Sequence, residues 1–484
     1  MKVTFLIPPV LDGTADVDRC FGCNYCIYFL PLLPILYAAT LLKGEVGAVS
    51  IIDFPANKKT GNDFKKFIES DDSQVYVFYT VYLCQKTDLI ARNMLRQKRR
   101  NAYFIFSGPQ ASYSPEAFLD QEDTFAVRGE PEFIIRELVR AWESKSDLSG
   151  IKGVSFRRGG KIVHNAYPDF IADIDLIPIP DRTMLDHKPY FNPKLHRIPH
   201  TAALTSRGCF GKCWFCVPNS LSYARELEHK KHCGKKPPPR LHSVERVIKE
   251  FTNIAALGFK SVSIIDDEFL WDEKRTCEIC AGIKDLRLEW SCLARPDMVS
   301  ERGVEAMARA GCAYVDMGTE SFSREILADI KKDMRPEDTR RAVQLLKKYK
   351  IEVELNILFG ASPKETEETI KYTIREAKRL DVDYVLFSIT NPFPGTDFYC
   401  AAKKEGWMFY GDYIPVDSAK NAIISYPHLS KRKLEQLCSY AYLSYYLNPR
   451  YIIKQLLAIK DLKDLANKFS TFLTFLQKNF LKRC

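Results

Sequence analysis

Cys209, Cys213 and Cys216 stand in the run Ser206-Arg207-Gly208-Cys209-Phe210-Gly211-Lys212-Cys213-Trp214-Phe215-Cys216. This spacing of three intervening residues and then two constrains the chain more than any other feature, because three thiolates on one tight loop must converge on a common inorganic centre. Cysteine thiolates are the usual ligands of iron–sulfur clusters. Three of them can hold three corners of a four-iron cube and leave the fourth iron open to chelate the amino and carboxylate groups of S-adenosylmethionine. Gly208 and Gly211 let the backbone bend around such a cube, and Phe215 offers it an apolar face. The competing reading is zinc with Cys233 as a distant fourth ligand, but zinc sites usually pair two Cys-x₂₋₄-Cys knuckles and only one is visible.

A chain of 484 residues exceeds what one core serves, so two to four domains are expected. With 46% hydrophobic residues it can bury substantial cores. Fifteen cysteines without a recognisable signal peptide point to a reducing cytoplasm and to metal or radical chemistry rather than disulfides. The net charge of +10 is moderate; it permits anionic substrates or membrane surfaces without requiring nucleic acid. The apolar stretch Ile27 to Leu42 is shorter than the roughly 20 residues of a bilayer crossing and carries Pro31 and Pro34, so it reads as a buried helix starting after the prolines.

Residues 1–150 alternate short apolar runs with amphipathic stretches, the pattern of a parallel α/β sheet. Candidate strands are Val3 to Ile7, Val49 to Asp53, Val75 to Tyr79, Tyr103 to Phe106 and Phe125 to Arg128. The fourth runs into Ser107-Gly108-Pro109-Gln110-Ala111-Ser112 and the fifth into Gly129-Glu130-Pro131-Glu132. In open α/β sheets the ligand lies on such loops at the strand C-termini. Residues 151–200 read as a connector with a hairpin turning on Gly159-Gly160. From Thr201 to about residue 405 six further β/α units suggest a partial TIM-type barrel, with strands at Ala202 to Ser206, Ser261 to Ile265, Glu289 to Leu293, Tyr314 to Gly318, Glu352 to Phe359 and Tyr384 to Ile389. Residues 406–484 turn to helical periodicity.

After the cysteine loop come, in order, Arg240-Leu241-His242-Ser243, Asp266-Asp267-Glu268-Phe269, Trp290 to Asp297, Met317-Gly318-Thr319-Glu320-Ser321, Phe359 to Thr366 and Asn391 to Thr396. With Pro8-Pro9 and the two glycine loops of the first domain, this order resembles the cobalamin-binding radical S-adenosylmethionine superfamily over roughly residues 1–450. The resemblance implies a Rossmann-like cobalamin domain, a partial (β/α)₆ barrel and a helical C-terminal region. It implies a 4Fe-4S cluster on Cys209, Cys213 and Cys216. Glu320 then corresponds to the residue that accepts hydrogen bonds from the cofactor's ribose, Arg295 to a carboxylate partner, and Asp266 and Asp267 to partners of its ammonium. Gly108, Pro109, Gly129 and Glu130 fall in the cobalamin-domain loops. The Asp-x-His-x-x-Gly pattern that supplies a lower histidine ligand elsewhere is absent, which implies cobalamin held without one. The bland readings are a helix cap for Glu320, a structural ion pair for Arg295 and turn caps for the two aspartates.

The resemblance implies an enzyme, first a methyltransferase acting at an unactivated carbon or a phosphorus through a 5′-deoxyadenosyl radical and methylcobalamin. The alternatives are a cyclase, oxidase or ring-rearranging enzyme with the same cofactors, and, further off, an RNA methylthiotransferase. The expected partners are a small-molecule or lipid-like substrate and a reductant such as flavodoxin or ferredoxin, with no nucleic acid and with peripheral membrane contact open. Three more segments are singled out. Cys20, Cys23 and Cys26 recur at three-residue intervals, as ligands of a second cluster completed by Cys84 or as buried thiols. Arg225 to Arg240 reads as a basic, solvated insertion, and Cys277 with Cys280 as helix thiols. From Arg450 the chain carries eight Lys and Arg against two Asp, with Phe469, Phe472 and Phe475 interleaved, as an interfacial helix or a packed one.

Overall fold

Val75–Tyr79 is buried along its whole length, Val-Tyr-Val-Phe-Tyr with no polar alternation, as only a strand covered on both faces can be. It is β3 of a first sheet, and the computed structural model, which describes residues 1–457 other than 27, 169 and 381, supplies the cover. The elements run β1 (Lys2–Ile7), α1 (Leu33–Leu42), β2 (Ala48–Asp53), α2 (Gly61–Ser70), β3, α3 (Gln85–Lys98), β4 (Tyr103–Ser107), α4 (Pro109–Tyr113), β5 (Thr124–Val127), α5 (Pro131–Ser144), β6 (Val154–Arg158) and β7 (Lys161–His164). The strand order is β2-β1-β3-β4-β5-β6-β7, with the first five parallel and the last two antiparallel. The order reverses between β1 and β3, so the loops leaving those strands flank the topological switch point. Pro34 lies in the first turn of α1, where its missing N–H costs nothing, and α1 is buried almost throughout.

The hairpin turning on Gly159 and Gly160, both at positive φ, does not belong to a connector. It pairs with β5 and extends the first sheet, giving the β5 edge a hydrogen-bonded neighbour. The linking segment is correspondingly shorter.

The second unit runs β8 (His200–Ala203), β9 (Ser206–Arg207), α6 (Ser220–Cys233), β10 (Arg240–Leu241), α7 (Val244–Ala256), β11 (Ser261–Ile264), α8 (Glu273–Ile283), β12 (Glu289–Ala294), α9 (Glu301–Arg309), β13 (Cys312–Glu320), α10 (Arg324–Asp329), α11 (Pro336–Lys348), β14 (Glu352–Phe359), α12 (Glu367–Leu380) and β15 (Tyr384–Ile389). Its sheet is all parallel in the order β15-β14-β13-β12-β11-β8, a partial (β/α)₆ barrel. Alternation decides the two faces. Val315, Met317, Val353, Leu355 and Ile357 enter the apolar core under the helices. Asp316, Gly318, Asn356 and Leu358 turn to the other side and remain partly open. Then follow α13 (Asp397–Lys404), α14 (Lys431–Tyr446) and α15 (Pro449–Leu457). Phe469, Phe472 and Phe475 lie outside the described residues. Among the described residues no helix is long and apolar enough to cross a membrane.

Candidate active site

The three-cysteine loop connects β9 to α6 at the mouth of the half-barrel. Its bend at Gly208 needs φ = +89°, and a Cβ there would stand 3.1 Å from the Arg225 guanidinium, so glycine is required on both counts. Gly211 is an open cradle. A Cβ on it would lie 3.4 Å from the Cys209 sulfur and 3.9 Å from the Cys213 sulfur, so the missing side chain leaves the concave face of the loop to those thiols. The Gly211 N–H donates to Cys209 Sγ at 3.3 Å. Burial pushes the Cys209 and Cys216 thiols up, a penalty that a cationic metal centre offsets by binding the thiolate. Among the described residues no three His, Cys, Asp or Glu side chains converge on the point a single metal ion would occupy, and Cys233 is exposed at the C-terminal end of α6.

The loop is closed by Asp267. One carboxylate oxygen accepts from the Gly208 N–H at 2.9 Å and the other from the Asn219 N–H at 2.6 Å, so a single side chain ties the residue before Cys209 to a residue just after Cys216. Asp266, read from the sequence beside it as a cofactor contact, is fully buried instead. It accepts from Thr205 N at 2.6 Å, Thr205 Oγ1 at 2.5 Å and Ser206 Oγ at 2.9 Å, and burial pushes its carboxyl up to about 7. Glu268 faces the barrel, accepting from Leu270 N and from Arg295 N, both at 2.7 Å, and burial pushes it up to about 8.

Arg295 lies against the cluster loop. One guanidinium nitrogen is 3.2 Å from where a Gly211 Cβ would be, and the group sits 5.2 Å from the Phe210 ring centre. Its other edge is spent on Asp297, with Nε at 3.1 Å and Nη2 at 3.0 Å. The ion pair and the outward nitrogen therefore coexist. Glu320 ends β13 with φ = +59°, a conformation rare for a residue with a side chain, where the register with β14 shifts. Its carboxylate meets Lys332 Nζ at 2.7 Å, with both groups buried above Gly318. Burial opposes the Lys332 charge but Glu320 outweighs it and holds the ammonium's pKa up. Lys332, Glu268 and the closing role of Asp267 escape the sequence, which has no local signal for partners 12 to 59 positions apart.

The first-domain loops divide. Gly108 (φ = +96°) would put a Cβ 2.8 Å from the Thr80 carbonyl oxygen, so only glycine turns there, and Pro109 starts α4. Gly129 (φ = +80°) donates its N–H to Ser112 Oγ at 2.9 Å. Glu130, expected on the cofactor, is committed across the domain interface. It accepts from Arg207 at 2.8 Å and from Arg240 at 2.5 and 3.0 Å, and although burial raises its carboxyl, those guanidiniums bring it down to about 2. Glu132 takes the other nitrogen of Arg207 at 2.6 Å, and Arg128 meets Glu228 at 2.5 Å. The residue preceding the cysteine loop is thus held by the first sheet.

Between the two units, Phe21, Tyr82, Pro109, Tyr113, Tyr223 and Phe393 among others meet at the switch point in an aromatic seam closed down to about 10 Å³, room for no more than one water. Its lining carries no histidine and no carboxylate. Flat aromatic faces suit a planar macrocycle, but the space is far smaller than a ligand site, so the walls must part for such a ring to enter. Cys20, Cys23 and Cys26 fold into the loop around Phe21 as separate thiols. Cys20 points at the Pro31 carbonyl (3.8 Å), Cys26 at the Tyr28 carbonyl (2.6 Å), and Cys23 packs beside Tyr82 and Phe393, its thiol pushed up to about 12 by burial. Cys277 and Cys280 lie on α8, as read.

Residues 204–377 match the model of the Radical SAM superfamily. Over 474 residues the chain is 31% identical to an uncharacterized methyltransferase of Pyrococcus horikoshii, covering 94% of this chain and 95% of the relative. Two solved structures share the fold. The radical S-adenosylmethionine methyltransferase TsrM of Kitasatospora setae, solved with tryptophan and a cofactor analogue, superposes with a TM-score of 0.66 at 18% identity, over 84% of this chain and 76% of that one. The cobalamin-dependent radical enzyme OxsB, solved with aqua-cobalamin and S-adenosylmethionine, gives 0.67 at 15% identity, over 98% and 71%. A near-complete relative, a matching barrel and a cysteine cradle at its mouth meet in one chain, which belongs to the radical S-adenosylmethionine superfamily.

Proposed function

We propose that this radical S-adenosylmethionine enzyme is a cobalamin-dependent methyltransferase acting on an unactivated carbon or a phosphorus of a small-molecule or lipid-like substrate. The observation that carries the reading is the three-thiol cradle at the barrel mouth, together with an aromatic seam at the switch point of the adjoining sheet. Full-length likeness to a methyltransferase-named relative selects methylation among the chemistries open to that pair. Residues 1–165 form the corrinoid unit and residues 200–405 the radical unit, in a reducing cytoplasm with a flavodoxin- or ferredoxin-type donor.

When bound, a four-iron cluster supplies the electron that cleaves the sulfonium, and a corrinoid supplies a methyl carrier. The chain's own residues hold and orient. Cys209, Cys213 and Cys216 are the cluster ligands, and Asp267 keeps the loop closed around them. The outward nitrogen of Arg295 would serve the cofactor's carboxylate. Glu320, held by Lys332 at the end of β13, would accept from its ribose hydroxyls. Phe21, Tyr82, Tyr223 and Phe393 exclude water from the space between the units, as a carbon radical requires.

Anaerobic reconstitution tests this directly. The protein should hold about four irons and four sulfides together with one corrinoid, release 5′-deoxyadenosine under reduction, and yield a product heavier by one methyl group. Zinc in place of iron with intact S-adenosylmethionine would overturn the class; an active corrinoid-free protein would overturn the methylation.

A further inference from the structure

The basic segment Arg225 to Arg240 is solvated only in part: residues 231–235 and 238 are exposed, but both ends are buried. Arg225 to Cys233 are helical, with Arg225, Glu226 and Glu228 buried, and the chain beyond Gly234 folds back over the cysteine loop. There Lys236 donates from Nζ to the Gly211 carbonyl at 3.2 Å, beside the cradle formed by Cys209 and Cys213. Its nearest carboxylate does not neutralise it alone. Glu226 is shared, 2.8 Å from Lys230 and 3.6 Å from Lys236, so one anion serves two ammonium groups. Arg295 and Lys332, which also approach this loop, each have a carboxylate of their own, Asp297 and Glu320, whereas Lys212 within it is exposed and Arg225 beside Gly208 donates to the Pro238 carbonyl. Lys236 is therefore a partly buried ammonium fixed on the loop's own carbonyl with only a shared carboxylate beside it.

We propose that Lys236 is a positioning and tuning residue for the iron–sulfur cluster: its partly compensated charge, pinned to the Gly211 carbonyl, raises the cluster's reduction potential and so brings reduction of the cluster within reach of the cell's donor. The physical basis is general. A cluster gains a negative charge on reduction, and net charge, hydrogen bonding and exposure around the sulfurs set its potential. A fixed ammonium favours the reduced form, and being only about a quarter exposed it is weakly screened by salt. The electron comes from the external reductant and leaves to the sulfonium; Lys236 gains and loses no proton in the cycle.

This inference rests on the loop holding a cluster, and the test separates the two. EPR-monitored potentiometric titration of the anaerobically reconstituted full chain, with iron and sulfide analysis on each sample, compares the natural protein with Lys236→Gln and Lys236→Arg. A natural protein without iron sinks the cluster reading itself. With the cluster present, Lys236→Gln should show a reduced-to-oxidised ratio about tenfold lower at a fixed potential, equivalent to about 59 mV for one electron, while Lys236→Arg stays near the natural value. An unchanged potential in an iron-replete Lys236→Gln protein overturns the proposal. So does an equal fall in Lys236→Arg, which would trace the effect to packing rather than charge. Should Lys236→Gln fail to keep iron, the arginine variant decides: full iron supports the charge requirement, and equal loss overturns it.

Discussion

Asp267 illustrates how much one side chain can carry. Replacing it by Ala leaves two backbone N–H groups, on Gly208 and Asn219, without their acceptor, and each such orphan costs about 1–3 kcal/mol when buried. Asp267→Ala should therefore bind less iron after reconstitution and also lower the urea midpoint, whereas a Lys236 change should leave that midpoint nearly alone. Glu320 makes a second residue-level case. Glu320→Gln strands a buried Lys332 ammonium, and breaking one partner of a buried pair costs about 3–5 kcal/mol. The expected outcome is a clear loss of stability together with loss of 5′-deoxyadenosine formation, measured on the same preparation. The cysteines themselves were legible from spacing alone. Their supports were not, because Asp267, Glu268 and Lys332 are defined by partners that come close only once β11, β12 and β13 lie side by side.

Among the elements, the turn leaving β14 carries the most readable pH response. Glu365 is buried there and accepts from the Gly360 N–H, with Tyr426 packed close by, and burial pushes its carboxyl up to about 8. A carboxyl raised in the folded state binds its proton more tightly there than in the unfolded chain. Its contribution to stability is thus complete below about pH 4.5 and lost as the pH rises toward 8, by about 1.4 kcal/mol for each unit of displacement. Glu365→Gln should flatten the fall in urea midpoint between pH 5 and 8; an identical slope in both proteins would refute the assignment. Strand positions and the helices around Ser243 to Leu257 and Arg335 to Tyr349 were readable, since apolar periodicity and caps such as Ser243 are local signals. The hairpin after residue 153 was readable as a hairpin but not as part of the first sheet, because which edge accepts it depends on a neighbour far along the chain.

At the scale of the molecule, the two sheets are joined by a buried ionic seam: Glu130 and Glu132 with Arg207 and Arg240, and Arg128 with Glu228. Separating the units would strand these charges, so the pair should unfold together. Trp142 belongs to the first unit, whereas Trp214, Trp271, Trp290 and Trp407 lie beyond it. Urea unfolding followed by tryptophan fluorescence and by far-UV circular dichroism should then give one midpoint, and two separated midpoints would show independent domains. The sequence by itself determined the chemistry on offer and the order of strands: three thiols at fixed spacing, glycines where the backbone must turn, and apolar runs at strand and helix periods. Those are short-range properties, written within a few residues of each other. Only the tertiary structure decided which carboxylate closes the loop, which lysine lies over it and which acidic motif faces a domain rather than a ligand. Charges choose their partners by distance in space, and the distances exist only after the sheets have assembled.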